Sequence, residues 1–154
     1  MLQAFADPRL KRHKVKLIVA GEFYENPDRY YRLIREHKLA DRVEMHTRFI
    51  ADDQVKYYFS AASLVTQTYH HATQSGVTQV GFQFDSPMLV TNVGGLSELV
   101  DHGRSGYVCE RLPAQIADAM LDFLENDRFA EMSAQVAVKK QEFSWEVFAW
   151  ELVG

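Results

Sequence analysis

The chain has a single cysteine, Cys109, so neither an internal disulfide nor a zinc site built from several cysteines can form. No base lies near Cys109 in the sequence, which indicates a strand residue and not a nucleophile. No apolar run approaches the length of about 18 residues that a membrane span needs. A signal-peptide pattern is also lacking, and we expect a cytoplasmic location.

Positive charge is not in excess either. The chain carries 17 Lys and Arg against 21 Asp and Glu, for a net charge of -4. That balance provides no basic field to attract nucleic acid, so no nucleic-acid partner is expected. The one basic run, residues 9–16, is interpreted as a solvated loop, because runs of like charge usually face water.

What the sequence does contain is an alternation of short apolar runs with longer segments of helical periodicity. Strands are predicted at 15–20, 43–46, 63–66, 87–91 and 106–109. Helices are predicted at about 27–37, from a cap at Asp52 or Asp53 through 59, at 75–84, at 97–100, from 113 onward and from a cap at Ser144. This alternation predicts an α/β fold: a Rossmann-like parallel sheet with helices on both faces.

The 154 residues suit one domain, predicted to span 1–154. Residues 1–8 look like the tail of a helix already under way. We therefore expect the chain to be a fragment of a longer protein that lacks the first strand of its sheet. An unpaired sheet edge left in this way is expected to favour self-association.

In such sheets ligands bind beyond the carboxyl ends of the strands. The segment 73–78 lies between a predicted strand and a helix. A helix start with Gly76 offers free N–H groups and a positive dipole end, which suits a phosphate, and the Ser75 and Thr78 hydroxyls add donors. On local chemistry alone, a plain helix cap at Ser75 with a turn at Gly76 explains the residues equally well.

Three further features carry less weight on their own. Gly94 and Gly95 follow a strand and precede Glu98, so they permit close backbone approach to a ligand, although most such pairs are only turns. The adjacent His70 and His71 point in different directions on a regular element and predict no metal site. Gly21-Glu22 lacks the spacing of a dinucleotide fingerprint.

The order and spacing of these features resemble the C-terminal domain of retaining glycosyltransferases with the GT-B fold, family four, group 1-like. The most specific segment is 87–108, PMLVTNVGGLSELVDHGRSGYV, and 143–145 (FSW) is similar to the family's last helix start. The resemblance covers residues 15–154. It implies transfer of a sugar from a nucleotide-sugar to an acceptor hydroxyl with retention, without a metal or other cofactor, as in polysaccharide biosynthesis.

The resemblance also implies roles for particular residues. Phosphate contacts are expected from Ser75, Gly76 and Val77, and ribose or sugar contacts from Thr73 and Gln79. Base contacts are expected from the loop Arg48, Phe49 and Ile50. The remaining substrate-binding candidates are Gln74, Thr78, Gly94, Gly95 and Glu98, and the catalytic residues are not identified.

The sequence departs from the family pattern at two places. The family's two glutamates, spaced E-x7-E, would fall at Ala72 and Val80, neither of which is acidic. Thr73, Gln74 and Gln79 are the candidate polar substitutes. The family's basic pair near the diphosphate and its N-terminal acceptor domain would precede Met1, so the fragment alone is expected to have no useful turnover.

The expected partners are the nucleotide-sugar donor and the missing N-terminal acceptor domain, with peripheral membrane association of the full-length enzyme as a further candidate. Two other interpretations stay open. A receiver-like binding or regulatory domain would need a carboxylate at a strand end, and an epimerase of the same fold would need histidines and acids in its cleft, where His46 and His70 are candidates.

Overall fold

Five parallel strands form the framework of the part of the chain that the computed structural model describes, residues 1–23, 25–71 and 75–142. The two-stranded sheet pairs β1 (Leu17–Ala20) with β2 (Val43–His46). The three-stranded sheet has the order β3 (Val65–Gln67), β4 (Met88–Thr91), β5 (Gly106–Cys109). All pairs are parallel, as the alternation of strands and helices predicts.

Seven helices accompany these strands within the described ranges, and the second to fifth of them connect successive strands: α1 (Leu2–Phe5), α2 (Asp28–Glu36), α3 (Asp52–Ala61), α4 (Gly76–Gln83), α5 (Leu96–Leu99), α6 (Pro113–Glu125) and α7 (Phe129–Glu142). A short 3-10 helix, Pro8–Arg12, follows α1. None of these helices combines the length and apolarity that crossing a bilayer requires.

Strand β4 lies at the centre of the core, because all of its residues are buried. Leu89 belongs to the apolar cluster that includes residues of α1, α2 and α6. Met88 and Val90 belong to the opposite cluster, with Phe82 of α4 and Val136 of α7. Helices therefore cover both faces of the three-stranded sheet, which confirms the predicted α/β class.

The strands do not form one continuous sheet among the described residues, since β1 and β3 have no hydrogen-bonded partner on their remaining edges. Strand β1 is correspondingly open, with 44% of Ile18 exposed. Both sheets nevertheless contribute to one apolar cluster, through Leu17 and Val43 on one side and Tyr107 on the other. Self-association through such an edge stays a prediction.

Several local predictions need correction. The cap of α3 is Ala51, and Asp52 and Asp53 occupy its first turn, where their charge favours the helix dipole. Pro27 is the N-cap of α2 and not part of its first turn. The helical stretch from Pro113 divides into α6 and α7, with Asp127 between them in a left-handed conformation at φ 47°.

The basic run is partly a 3-10 helix and not a loop, and it begins at the Asp7 cap. Leu10 anchors this helix in the core, with none of its surface exposed. The charges face water as predicted: Arg9 pairs with Asp7 and Asp118, each at 2.8 Å. The Arg9 guanidinium lowers the pKa of the Asp7 carboxyl through hydrogen bonds. The helix predicted from Ser144 lies outside the described residues.

Gly106 permits the tight pairing of β4 with β5. A Cβ at this position would lie far inside van der Waals contact distance of the Met88 carbonyl oxygen. At Gly81, by contrast, a Cβ would meet the Met88 Sδ at 2.8 Å, and that flexible side chain can move.

We predict that Gly106→Ala lowers the free energy of unfolding by about 3 kcal/mol or more, because rigid backbone must shift. The matched control Gly81→Ala is expected to cost about 1 kcal/mol or less, since alanine also favours the helix. Urea denaturation of both variants measures the difference. Equal stabilities would contradict this account of the β4–β5 contact.

Candidate functional site

The candidate site lies at the carboxyl ends of the strands, where β3 and β4 lead into the loops before α4 and α5. The last strand residues are Ala20, His46, Gln67, Thr91 and Cys109, and none carries a carboxylate. The strand-end acid that a receiver-like domain would need is therefore lacking at these described strand ends.

The start of α4 has the geometry expected of an anion site. Ser75 occupies the N-cap position in an extended conformation, and the helix begins at Gly76. The Ser75 side chain makes no capping hydrogen bond, and only the Thr78 N–H is bonded to the Ser75 carbonyl oxygen, at 3.1 Å. Among the described residues, which exclude 72–74, no hydrogen-bond acceptor is found for the N–H groups of Gly76 and Val77. Both residues are exposed to solvent.

A buried polar network lies directly behind this helix start. Gln67, only 1% exposed, donates from Nε2 to the Ser75 hydroxyl at 2.7 Å. Its Oε1 accepts from the Thr78 hydroxyl at 2.8 Å. The predicted role of the Thr78 hydroxyl as a ligand donor therefore needs correction, because that hydroxyl is fully buried and bonded to Gln67.

Thr91, at the end of β4, fixes the loop that follows β3. Its hydroxyl donates to the Tyr69 carbonyl oxygen at 2.8 Å, and it lies 3.4 Å from the Gln67 carbonyl oxygen. In the same loop, His70 Nδ1 lies 3.3 Å from Arg111 Nη1. The loop is thus tied to both β4 and the segment after β5.

The structure describes only some of the remaining substrate-binding candidates in and before α4. Gln79 is exposed on the first turn of the helix, and Val80 is half-buried. Thr73 and Gln74, like Ala72, lie outside the described residues. Their predicted contacts to sugar or ribose therefore stay predictions.

A concave, open region of about 300 Å³ lies at the end of β2 and is lined by Met45, His46, Thr47 and Arg48. His46 is held there by Tyr58, whose hydroxyl lies 2.9 Å from Nδ1. The predicted base loop borders this cavity through Arg48, while Phe49 is 68% exposed and Ile50 is half-buried.

The charged side chains near this cavity, on β2 and just before β1, contact one another. Lys16 contacts Glu44, and this hydrogen bond lowers the pKa of the Glu44 carboxyl. His46 Nε2 lies 3.7 Å from the same carboxylate. The cavity is therefore bordered by partly neutralised charge, and in the described ranges no carboxylate forms an ion pair with the Arg48 guanidinium.

The glycine pair after β4 forms a turn as predicted. Gly94 adopts a positive φ of 52°, a conformation that favours glycine, and Gly95 caps the short helix α5. Glu98 is exposed on α5. The pair therefore shapes the wall beside the β4 end, where Asn92 bonds to Glu110 at 2.9 Å.

The described residues form neither a nucleophilic cysteine site nor a metal site. Cys109 is buried, and burial raises the pKa of its thiol, which opposes a nucleophilic role. No group of three or more histidine, cysteine or acidic side chains comes together there in a way that could hold a metal ion.

Comparison with known proteins identifies relatives of this chain. The sequence model of a family described as Glycosyl transferases group 1 matches residues 1–126. An uncharacterized glycosyltransferase of Methanocaldococcus jannaschii is 28% identical over 152 residues, covering 94% of this chain and 37% of that protein.

Two solved structures are similar in fold. The Anabaena protein HepE, in complex with UDP and glucose, matches with a TM-score of 0.79 at 20% identity, over 99% of this chain and 42% of its own. The C-terminal domain of a group 1 glycosyl transferase protein, LpcC from Francisella tularensis, matches with a TM-score of 0.81 at 14% identity, over 92% of this chain and 76% of its own. The chain spans about two fifths of the length of the M. jannaschii and Anabaena proteins.

Proposed function

Since the chain belongs to the group 1 glycosyl transferases, we propose that it is the C-terminal, donor-binding domain of an enzyme that transfers a sugar from a nucleotide-sugar to an acceptor hydroxyl with retention. The observation that carries this proposal is the start of α4, where the Gly76 and Val77 N–H groups lack acceptors among the described residues. The Anabaena relative in fold, bound to UDP and glucose, supports it.

The start of α4 suits a diphosphate for electrostatic reasons. Backbone N–H groups at a helix N-terminus point outward and carry the positive end of the helix dipole. The Ser75 hydroxyl, half-buried beside them, adds a donor. We place the donor diphosphate against Ser75, Gly76 and Val77.

We propose that the nucleobase binds at the end of β2. The cavity there, about 300 Å³, is near the lower limit for ligand pockets. Backbone groups of Arg48, Phe49 and Ile50 are the proposed base contacts. Gly94, Gly95 and Glu98 are proposed as a further wall of the donor site.

The proposed chemistry needs the leaving diphosphate to be stabilised as its charge develops. Preorganised N–H donors do this without reorganisation, which is how protein dipoles commonly stabilise developing charge. We propose no metal or other cofactor. The acceptor would be bound by a separate domain, so the chain alone would bind donor without useful turnover.

The same proposed function leads to proposals for the cellular location and the partners of the whole enzyme. A nucleotide-sugar donor made inside the cell implies a cytoplasmic site of action. We also propose peripheral membrane association of the whole enzyme, a role in polysaccharide biosynthesis, and an acceptor-binding domain as the main protein partner.

We predict that UDP or GDP shifts the backbone amide NMR signals of residues 75–79, with a dissociation constant of about 1 mM because the proposed contacts are few and mostly exposed. Gly76→Pro removes one N–H donor from the first helical position, where proline is well tolerated and the preceding Ser75 is already extended. Its affinity should fall several-fold.

Gly76→Ala is the matched control, because it keeps the N–H and its Cβ meets nothing within 4 Å. Its affinity should stay within about twofold of the unmodified chain, a change of under 0.5 kcal/mol. Shifts caused by NAD instead of UDP, or equal affinities of the proline and alanine variants, would argue against a diphosphate at this helix start.

Gln79 gives a second prediction, in the full-length enzyme. If its amide replaces the family's glutamate at the ribose, Gln79→Ala should raise the donor KM about fivefold, corresponding to roughly 1 kcal/mol for one neutral hydrogen bond. Gln83→Ala, an exposed change one turn further along α4, is the control and should leave KM unchanged. An unchanged donor KM in Gln79→Ala would show that the residue is only solvated.

A further inference from the structure

We propose that Gln67 is a positioning residue for the anion site at the start of α4. It keeps the Ser75 hydroxyl from capping the helix, and so leaves the first N–H groups free for a ligand. This inference rests on the proposed function for its ligand, a nucleoside diphosphate.

The position of Gln67 is unusual for an amide side chain. It is the last residue of β3, it is 1% exposed, and both of its polar atoms are bonded to residues of the α4 start. Nε2 donates to Ser75 and Oε1 accepts from Thr78. One side chain therefore links the end of a strand to the N-cap and to the third residue of the helix that follows it.

The bond to Ser75 changes what that serine can do. A serine at an N-cap ordinarily accepts from the N–H of the second or third helical residue. Here its oxygen lies 2.7 Å from Gln67 Nε2 and makes no capping bond. Because the oxygen accepts from the amide, its own proton remains available to donate outward.

The bond to Thr78 fixes the direction of the amide. The Thr78 hydroxyl is fully buried and donates to Oε1, which leaves Nε2 as the group that faces Ser75. A buried amide is costly unless both of its ends are paired. The two hydroxyls satisfy it, and the arrangement presents donors at the surface.

A purely structural role would make Gln67 only a filler of the core. The two roles differ in how Gln67 and Ser75 depend on each other. If Gln67 withholds Ser75 from the cap, then replacing Gln67 matters for the ligand only while a serine is present to swing onto the helix. A double-mutant cycle isolates that dependence.

The test uses UDP binding to the full chain by NMR titration, with Gln67→Met, Ser75→Ala and the double variant. Gln67→Met keeps the volume of the side chain but makes no bond to Ser75. We expect its dissociation constant for UDP to rise roughly tenfold, the factor expected for losing one or two hydrogen-bond donors. In the Ser75→Ala background the same change should alter affinity less than about twofold.

Hydrogen exchange of the free protein supplies a readout that does not need the ligand. In Gln67→Met the Val77 amide should exchange several-fold more slowly, because the Ser75 oxygen then caps it. Ser105→Ala is the control for losing a buried hydroxyl, since Ser105 accepts from the Asp101 N–H at 2.9 Å in a different turn. It should change neither UDP affinity nor Val77 exchange.

The outcomes separate the two proposals. If the unmodified chain does not bind UDP, the proposed function fails, while Val77 exchange still tests the role of Gln67. If UDP binds but Gln67→Met weakens binding equally with and without Ser75, the positioning role is wrong. Should Gln67→Met not fold, Gln67→Leu combined with Thr78→Val removes the buried polar pair together and answers the same question.

Discussion

The fold depends on the burial of β4 between two layers of helices. Its side chains alternate between two apolar clusters, and its backbone approaches β5 so closely that only Gly106 fits there. At the carboxyl end of the same strand, the Thr91 hydroxyl holds the Tyr69 carbonyl oxygen and thereby the loop after β3. The central strand thus both organises the core and supports the candidate site.

The periodicity of the sequence predicts all five strands and most of the helices, but neither the 3-10 helix at Pro8–Arg12 nor the division between α6 and α7. The apolar run at 106–109 became β5 without change, and α4 begins one residue after its expected start at Ser75. These predictions hold because a strand buried on both faces needs a continuous apolar run, and because a polar residue such as Ser75 commonly marks the N-cap of a helix. The Gly94 turn follows from the same reasoning, since its positive φ suits glycine.

Tertiary contacts were not predictable in this way. The strand predicted at 63–66 stops before Gln67, yet Gln67 ends β3 and is buried, because the hydroxyls of Ser75 and Thr78 at the next helix start satisfy its amide. The Thr78 hydroxyl, predicted to be a donor to the ligand, is buried by the same contact with Gln67. The only sequence signal for this pairing is a glutamine that adjoins an apolar strand and is followed by hydroxyl residues at a helix start. That signal does not specify which side chains bond to each other.

The central claim is that the first turn of α4 is held open for a diphosphate. A crystal structure of this chain with UDP tests it most directly. The account predicts diphosphate oxygens about 3 Å from the Gly76 and Val77 nitrogens, with the Ser75 oxygen still bonded to Gln67. UDP bound elsewhere, or a Ser75 side chain capping Val77 in the complex, would contradict it.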